Sequence, residues 1–284
     1  MILGLILGVI TVSVYGDDGV YSFQLDGFEV FMLVESERDG NAGILVGADQ
    51  AILERYIPAT GFRHTANAFL IKTPRQNILI DTGTGTGDII VEKIKKLGVQ
   101  PNRIDAVLIT HLHGDHFGGL VKDGKAVYPN AKIYLSSKEL EHFTKTSVNQ
   151  GAVAALEPYK SEIITFEPNA LSTERKQSIL HGIFPIAAYG HTPGHTIYQI
   201  ESGRAKILII GDLLHVALVQ FHVPAISATF DIDPGAAAKT RHEVLSYAAK
   251  NRMPIGGMHI VYPGIGFVEE YNNGNSFNYS SVLE

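Results

Sequence analysis

The segment Thr110-His111-Leu112-His113-Gly114-Asp115-His116 concentrates side chains that bind metal ions. Three histidines and one aspartate fall within six positions, and imidazole and carboxylate groups are ligands for Zn²⁺ and related divalent ions. Polar groups on a surface loop are the alternative interpretation, but so dense a set at the end of an apolar run argues against it. The segment therefore predicts half of a two-metal hydrolytic site.

A buried strand is predicted to position this segment. Residues 104–110 form a short apolar run, which favours a strand over a helix. His111 and His113 leave the carboxyl end of this strand, and side chains two positions apart in an extended chain project to the same side. The glycine after His113 lets the backbone turn, so Asp115 and His116 can face a second ion.

Further candidate ligands occur at three places, as two incompletely coordinated ions would require. His191 lies in a Gly-His-Thr-Pro-Gly-His turn. Asp212 follows the apolar run 205–210, so we expect its carboxylate at the carboxyl end of a strand. His259 is a further imidazole late in the chain.

In this order the motifs resemble those of the metallo-β-lactamase superfamily. The resemblance rests on the His-x-His-x-Asp-His box, the turn around His191, the Gly-Asp at Asp212 and the late histidine. It extends from about residue 21 onward, because Asp81-Thr82-Gly83 is similar to the family's early Asp-Thr-Gly turn. It implies an α/β fold, a four-layer αβ/βα sandwich, forming one hydrolase domain over residues 17–284.

The resemblance also implies a role for each candidate ligand. The implied ligands are His111, His113 and His191 for a first ion, Asp115, His116 and His259 for a second, and Asp212 as a bridge between them. Two divalent ions are implied as cofactors, with Zn²⁺ favoured and Mn²⁺, Fe²⁺ or Co²⁺ left open. A hydroxide between the ions would be the nucleophile. Asp115 and His215 are the residues that we assign to catalysis.

The ligand types narrow the choice within the superfamily. Flavo-diiron oxygen reductases have a carboxylate at the position of His113, and the β-lactamases proper have a cysteine or a non-ligand at that of Asp212. The chain contains 0 cysteines. The set resembles dinuclear lactonases, phosphotriesterases, arylsulfatases, thioesterases and RNA-processing enzymes. Residues 211–221 and 230–234 resemble the branch of methyl parathion hydrolase and the quorum-quenching lactonases.

His215 is the residue on which substrate chemistry most depends. It lies three positions after Asp212, and in one lactonase subgroup a tyrosine near the metals assists catalysis. A histidine can protonate a leaving group because its pKa is near neutrality. Capping a helix or packing on the pocket wall is an equally good interpretation. A hydrophobic pocket for apolar leaving groups or acyl chains is expected from Leu213, Val216, Phe221 and Phe230.

Other polar residues receive supporting or structural roles. The resemblance implies that Asp81 orients a ligand histidine through the ring nitrogen that does not bind metal. His195 precedes a predicted strand, so a structural role fits it better than ligation. Asp231 and Asp233 fit helix initiation before Pro234 better than catalysis. The remaining histidines lack the spacing of a metal box and are interpreted as solvated or packed: His64, His142, His181, His222 and His242.

Composition and charge favour a compact enzyme with a small-molecule substrate. A chain of 284 residues with 45% hydrophobic residues can bury a large core. The net charge of −6 leaves no general basic surface, and Lys93, Lys95 and Lys96 fit the solvated face of a helix. We therefore expect no nucleic-acid partner.

The N-terminal segment leaves localisation open. Residues 1–14 are apolar apart from Thr11 and Ser13, and Gly16 is a small residue near a cleavage point. Residues 1–16 fit a secretory signal, which implies a periplasmic or secreted protein. They also fit a retained segment of an exported or cytoplasmic protein, because a positive n-region is missing. The stretch is too short for a comfortable transmembrane helix.

Two strand-rich halves are predicted to carry these residues. Strands are predicted at residues 21–25, 29–34, 68–72, 76–80, 106–110, 132–135, 163–166, 183–188, 196–200 and 206–210, and helices at 88–97, 137–143 and 234–250. Halves of this kind fit a sandwich with its ligands on loops at one edge of the paired sheets. Residues 35–63 are expected to be a loop that flanks the pocket, or else a surface arm or homodimer contact.

The sequence therefore predicts a dinuclear metal-dependent hydrolase acting on an ester, a lactone or a phosphotriester. A glyoxalase II-like thioesterase ranks lower, because residues 264–284 contain no Lys or Arg for a glutathione carboxylate. A metal-binding scaffold protein descended from hydrolases would be expected to have lost ligands, and none of the seven is missing.

Overall fold

A computed structural model describes residues 10–14, 19–261 and 263–282 of the chain. Its strands are β1 (Ile10–Val14), β2 (Val20–Leu25), β3 (Phe28–Asp39), β4 (Leu45–Val46), β5 (Arg63–Lys72), β6 (Asn77–Ile80), β7 (Ala106–Leu108), β8 (Val121–Lys122), β9 (Lys125–Ala126), β10 (Lys132–Ser136), β11 (Ile163–Phe166), β12 (Ile183–Ala187), β13 (Thr196–Ser202), β14 (Ala205–Ile209), β15 (Ser227–Ala228), β16 (Ile255–Gly256), β17 (Ile265–Tyr271) and β18 (Ser276–Ser281). Its α-helices are α1 (Gln50–Tyr56), α2 (Ile89–Lys96), α3 (Gly114–Phe117), α4 (Ser137–Glu141), α5 (Gln150–Leu156), α6 (Ala217–Gln220) and α7 (Pro234–Lys250).

Two mixed sheets carry most of these strands. The 8-stranded sheet has the order β1-β2-β3-β5-β6-β7-β10-β11, and the 6-stranded sheet has the order β12-β13-β14-β16-β17-β18. In the first sheet β6, β7, β10 and β11 are parallel neighbours, and in the second β14 and β16 are parallel. The carboxyl ends of parallel strands in one sheet lie at a common edge, so the segments that follow them are neighbours.

The two sheets pack face to face with helices on both outer surfaces. Val107 belongs to the core between the first sheet and helices α2 and α5, whereas the adjacent Leu108 faces the second sheet. In the second sheet, Ile209 faces the first sheet and Leu208 packs with Val244 of α7. Successive strand residues point to opposite faces, and both faces are buried, which explains the continuous apolar runs in the sequence. The expected four-layer αβ/βα sandwich is confirmed.

The stretch 35–63 differs most from the sequence-based expectation of a loop. Strand β3 continues to Asp39, β5 already begins at Arg63, and α1 lies between them. Ile52 and Tyr56 of α1 pack with Val219 of α6, because their apolar side chains recur on one face of the helix. The stretch is therefore a packed arm of the sandwich, and its role as a homodimer contact stays a prediction.

A β-bulge at Glu35 interrupts the pairing of β3 with β5. Val34 pairs with Asn67, whereas Ser36 pairs with Ala66, so one residue of β3 is left over. The side chain of Glu35 is buried and accepts hydrogen bonds from the backbone N–H of Thr84 and that of Gly85. A bulge re-aims the side chains that follow it, and these lie beside the candidate site described below.

The apolar N-terminal segment is described only in part. Residues 10–14 form β1, which pairs antiparallel with β2 at the edge of the first sheet. The rest of residues 1–16 lies outside the described residues, so the prediction of a signal segment stays a prediction. Within the described ranges, helices long and apolar enough to cross a membrane are absent.

Candidate metal centre

The candidate ligands lie on segments that follow strand ends at one edge of the sandwich. His111 comes shortly after β7, Asp212 after β14, and His259 lies between β16 and β17. His191 is supplied by the loop between β12 and β13. This placement brings side chains from distant parts of the chain into one buried cluster.

The first ligand group consists of His111, His113 and His191. Nδ1 of His113 lies 3.1 Å from Nε2 of His111 and 3.0 Å from Nε2 of His191. The Nε2 atoms of His111 and His191 are 3.1 Å apart. Three ring nitrogens therefore converge on one point, together with the Asp212 carboxylate.

The partners of the outer ring nitrogens indicate that the converging Nε2 atoms of His111 and His191 carry lone pairs. Nδ1 of His191 lies 2.8 Å from an oxygen of Asp231, and Nδ1 of His111 lies 3.1 Å from Oγ1 of Thr110, which itself donates to Asp81. Each ring thus uses its proton on Nδ1 and leaves Nε2 as an acceptor. Burial lowers the pKa of His111 well below its usual value and that of His191 to about 3, so both rings stay neutral. Two facing lone pairs fit a bound cation.

The second ligand group consists of Asp115, His116 and His259. Nε2 of His259 lies 3.7 Å from Oδ2 of Asp115, and Nε2 of His116 lies 3.6 Å from Oδ1 of Asp115. The outer nitrogens are engaged elsewhere: Nδ1 of His259 donates to the carbonyl of Thr65, and Nδ1 of His116 lies 2.7 Å from Oδ2 of Asp81. Nε2 of His116 is buried and makes no well-aligned hydrogen bond within the described part of the chain.

Asp212 lies between the two groups. Its Oδ2 atom is 3.7 Å from Nε2 of His111 and 3.5 Å from Nε2 of His191. Its Oδ1 atom is 3.1 Å from Nε2 of His116, and Nε2 of His259 lies 3.2 Å from both carboxylate oxygens. Both groups can therefore share this carboxylate, as the resemblance to the superfamily implied.

The charge state of Asp212 and His116 also fits cation binding. Burial opposes ionisation of Asp212, but the neighbouring His116 and His259 hold its pKa well below the usual range. Burial likewise opposes a charge on His116, yet Asp212, Asp115 and Asp81 raise its pKa well above the usual value. The carboxylates thus attract positive charge into the buried cluster, and a divalent ion competes with a proton for the same lone pairs.

Asp231 supports the first group, which corrects the expectation that it initiates a helix. It is buried; Oδ1 lies 2.8 Å from Nδ1 of His191, and Oδ2 accepts a hydrogen bond from the backbone N–H of Ala228. Nη2 of Arg241 lies 3.5 Å from Oδ2 of Asp231. Asp233 alone caps the helix, since it accepts from the N–H of Ala236 at the start of α7. The Asp-x-Asp-Pro pattern signals the cap but not the distant histidine.

Glu139 joins the two loops of the first group and was missed by the sequence analysis. Its Oε1 atom accepts from the backbone N–H of Leu112, between His111 and His113, at 2.8 Å. Its Oε2 atom accepts from Oγ1 of Thr192 at 2.7 Å and from the N–H of Gly194 at 2.9 Å. The side chain is fully buried, and this burial raises its pKa to about 7. Only the folded chain brings these groups together.

His195 has the structural role expected from the sequence. Its Nδ1 donates to the carbonyl of Ala188 at 2.8 Å, and its Nε2 accepts from the backbone N–H of Asp212 at 3.1 Å. Both ring nitrogens are thereby used, so the ring fixes the backbone that carries the bridging carboxylate.

A cavity of about 510 Å³ opens over the cluster. His215 lies in its wall with Nε2 3.2 Å from Oδ2 of Asp212, and its ring centroid is 5.7 Å from that of Phe230. His215 is buried, and neither ring nitrogen has a well-aligned hydrogen-bond partner among the described residues. His64, which received no site role from the sequence, also lines the cavity, with its ring 4.7 Å from that of His259.

The expected hydrophobic pocket is largely wrong. Phe230 lines the cavity and is 51% exposed. Leu213 and Phe221 instead belong to the core under α7, where Phe221 stacks on Tyr279 at 5.0 Å. Val216 belongs to the small core beneath the arm. Proximity to Asp212 along the chain suggested these residues, but the side chains of Leu213, Val216 and Phe221 are buried in the adjoining cores.

The fold and the buried His/Asp cluster define a class of protein. Residues 61–257 match the family model of the Metallo-beta-lactamase superfamily. The chain belongs to this superfamily and is a metal-dependent hydrolase.

Comparison with individual proteins places the chain near hydrolases of several kinds. The crystal structure of hydrolase AbOPH, in the beta lactamase superfamily, is similar with a TM-score of 0.82 and 29% identity over 93% of this chain and 97% of that one. The structure of AidC, a dizinc quorum-quenching lactonase in complex with a product, has a TM-score of 0.78 and 25% identity over 93% and 97%. Atrochrysone carboxyl ACP thioesterase of Passalora fulva is 40% identical over 152 residues, which are 52% of this chain and 38% of that protein.

Proposed function

We propose that this protein is a dinuclear metal-dependent hydrolase that opens a lactone or cleaves a related ester. The observation that carries the proposal is the position of Asp212, whose buried carboxylate lies within 3.5 Å of Nε2 of His191 in the first group and within 3.1 Å of Nε2 of His116 in the second. The overall likeness to AidC, described as a dizinc lactonase, supports both the two-ion centre and the lactone substrate.

The ligand assignment follows the atoms that converge. The first ion would be held by His111, His113 and His191, the second by Asp115, His116 and His259, and Asp212 would serve both. Zn²⁺ suits this set of imidazole and carboxylate donors, and Mn²⁺, Fe²⁺ and Co²⁺ are alternatives. Two bound ions would acidify water as the nucleophile and polarise the attacked carbonyl group.

Side chains of the protein would supply proton transfer, substrate packing and orientation of the ligands. His215 is the candidate for proton delivery to the leaving oxygen, because its ring borders the cavity and its nitrogens are not committed to other well-aligned partners in the described structure. Phe230 offers an apolar surface beside His215 on which an acyl chain can pack. Asp231 orients the ring of His191, and Glu139 fixes the backbone of the loops that carry the first ligand group, so that little reorganisation is needed when substrate binds.

A hydrolysis panel tests this proposal. Purified protein loaded with Zn²⁺ is assayed with a lactone, an aryl ester, a phosphotriester and a thioester, beside Asp212→Asn and the matched control Asp233→Asn, which changes an exposed helix cap. We expect lactone or ester hydrolysis by the wild type and the control, and its loss in Asp212→Asn. Undiminished activity of Asp212→Asn, or no hydrolysis of lactone and ester by the wild type, would overturn the proposal.

Thioester hydrolysis is the second candidate. It is favoured by the 40% identity to the thioesterase of Passalora fulva, although the match spans 38% of that protein. The same buried ligands can serve thioester cleavage, since the attacked atom is again a carbonyl carbon. A panel in which the thioester is hydrolysed far faster than the lactone would favour this candidate over the first.

A further inference from the structure

The bulge at Glu35 places the positively charged side chain of Arg38 at the mouth of the cavity. Beyond the bulge, Arg38 pairs with His64 and Asp39 pairs with Arg63 across β3 and β5. Side chains directly opposite each other in an antiparallel pair share a face of the sheet. Arg38 and His64 both line the cavity over the metal centre.

The neighbouring charges around Arg38 are already paired with other groups. Nε of Arg63 lies 3.0 Å from Oε1 of Glu37, and the Arg63 guanidinium also binds the carboxylate of Asp39, which lies on the cavity rim. The other carboxylates of the cavity, Asp115 and Asp212, belong to the candidate ligand groups.

Arg38 itself keeps its donors free. Within residues 10–14, 19–261 and 263–282, the structure gives its guanidinium neither a hydrogen bond nor an ion pair. A guanidinium group presents five N–H donors in a planar fork that matches a carboxylate in two parallel hydrogen bonds. The cation is therefore available to a ligand that enters the cavity.

Depth in the cavity decides which part of a ligand Arg38 can meet. Arg38 is exposed at the rim, whereas Asp212 and His259 are buried at the floor, where the scissile bond must lie. Phe230 lies in the wall and supplies an apolar surface. A substrate that reaches from floor to rim would present its far end to Arg38.

We propose that Arg38 binds a carboxylate carried by the substrate at the end remote from the scissile bond. The proposal rests on the proposed function and narrows its substrate class to lactones or esters that bear such an acid group. Lys is a poor replacement for Arg at such a position, because its ammonium group cannot make the planar two-bond contact.

A pair of matched substrates tests the proposal. One is an aryl ester of glutaric acid with a free terminal carboxylate, and the other is the same aryl ester with a terminal carboxamide. Both are assayed with Zn²⁺-loaded wild type, Arg38→Gln, Arg38→Lys and the control Arg75→Gln, which alters an exposed arginine beyond the far end of β5.

We expect the wild type and Arg75→Gln to prefer the carboxylate substrate. In Arg38→Gln the KM for this substrate should rise about tenfold, the usual size for loss of a charge-assisted hydrogen bond, while the KM for the carboxamide should rise far less, because its neutral oxygen accepts a weaker hydrogen bond. Arg38→Lys should fall between the two. Equal loss for both substrates in Arg38→Gln, or no preference in the wild type, would overturn the proposal.

A binding measurement separates this proposal from the proposed function. Glutarate and butyrate are titrated into Zn²⁺-loaded protein by calorimetry, since only glutarate has a second carboxylate for the rim. Glutarate should bind the wild type about tenfold more tightly than butyrate, and Arg38→Gln should lose that advantage. If no ester is hydrolysed but the advantage depends on Arg38, the proposed function fails and the carboxylate site stands. If Arg38→Gln binds glutarate as the wild type does, the carboxylate site fails.

Discussion

Oδ1 of Asp231 lies 2.8 Å from Nδ1 of His191, and both side chains are buried. The carboxylate fixes the ring so that Nε2 points at the nitrogens of the other first-group histidines. A neutral amide in its place makes the ring less basic and holds it less firmly in this orientation. We therefore expect Asp231→Asn to weaken metal affinity about 10- to 100-fold. Competition with a chelating dye measures this affinity. Asp233→Asn, two residues away, should behave as the wild type. Equal affinities of Asp231→Asn and wild type would argue against this support.

Glu139 gives the fold a specific pH dependence. Burial raises its pKa to about 7 from an ordinary value of 4.5, so the folded chain holds this proton more tightly than the unfolded chain. The stabilisation of the folded chain by the proton on Glu139 is complete below about pH 4.5 and is lost as the pH rises through about 7. Glu139→Gln should remove that dependence.

The measurement is urea unfolding between pH 5 and 8, after metal removal so that bound cations do not alter the field. The stability of the wild type relative to Glu139→Gln should fall by about 3 kcal/mol or less across this range. Glu141→Gln, on the exposed side of α4, should show no such trend. A relative stability that is flat or rises with pH would contradict the assignment.

Substitution of Phe221 should lower stability, whereas substitution of Phe230 should alter substrate binding. Phe221→Ala removes a ring from the core under α7 and should cost about 3–5 kcal/mol of unfolding free energy. Phe230→Ala should cost about 1 kcal/mol or less, because its side chain is half-exposed, but should raise KM for substrates with apolar acyl chains. Thermal unfolding and chain-length profiles of the two variants check this. A shift of chain-length preference in Phe221→Ala alone would reverse the assignment.

The hydroxyl of Tyr198 connects the two sheets near the site. It donates a hydrogen bond of 2.8 Å from β13 to the backbone carbonyl of Ile109, just after β7. Tyr198→Phe leaves this buried carbonyl without its partner and should cost about 1–2 kcal/mol in chemical denaturation. Tyr247→Phe is the control, because among the described residues its hydroxyl makes a single long contact of 3.5 Å, with Gln199. Identical stabilities of Tyr198→Phe and wild type would show that the bond contributes nothing.

The sequence predicted much of the fold and the candidate ligands because those signals are local. His111, His113 and His116 stand within one short motif, and strands such as β14 are continuous apolar runs. Glu139 and Asp231 lack such a signal, since each is a single carboxylate whose partner in the ligand loops, Leu112 or His191, lies tens of residues away and meets it only in the folded chain.

The arm formed by residues 35–63 and the wall of the cavity show a second limit of prediction from the sequence. An apolar residue such as Phe221 is expected to be buried, but hydrophobicity alone does not say whether it faces a core or a cavity. The bulge at Glu35, which directs Arg38 toward the cavity, is likewise set by strand pairing rather than by any pattern of residue types.

The metal content of the purified, Zn²⁺-loaded chain tests the central claim most directly. If Asp212 joins two groups of ligands, elemental analysis should give about two ions per chain for the wild type and for Asp233→Asn, and fewer for Asp212→Asn. A wild-type chain that binds about one ion or none, or an Asp212→Asn variant that keeps both, would contradict the account.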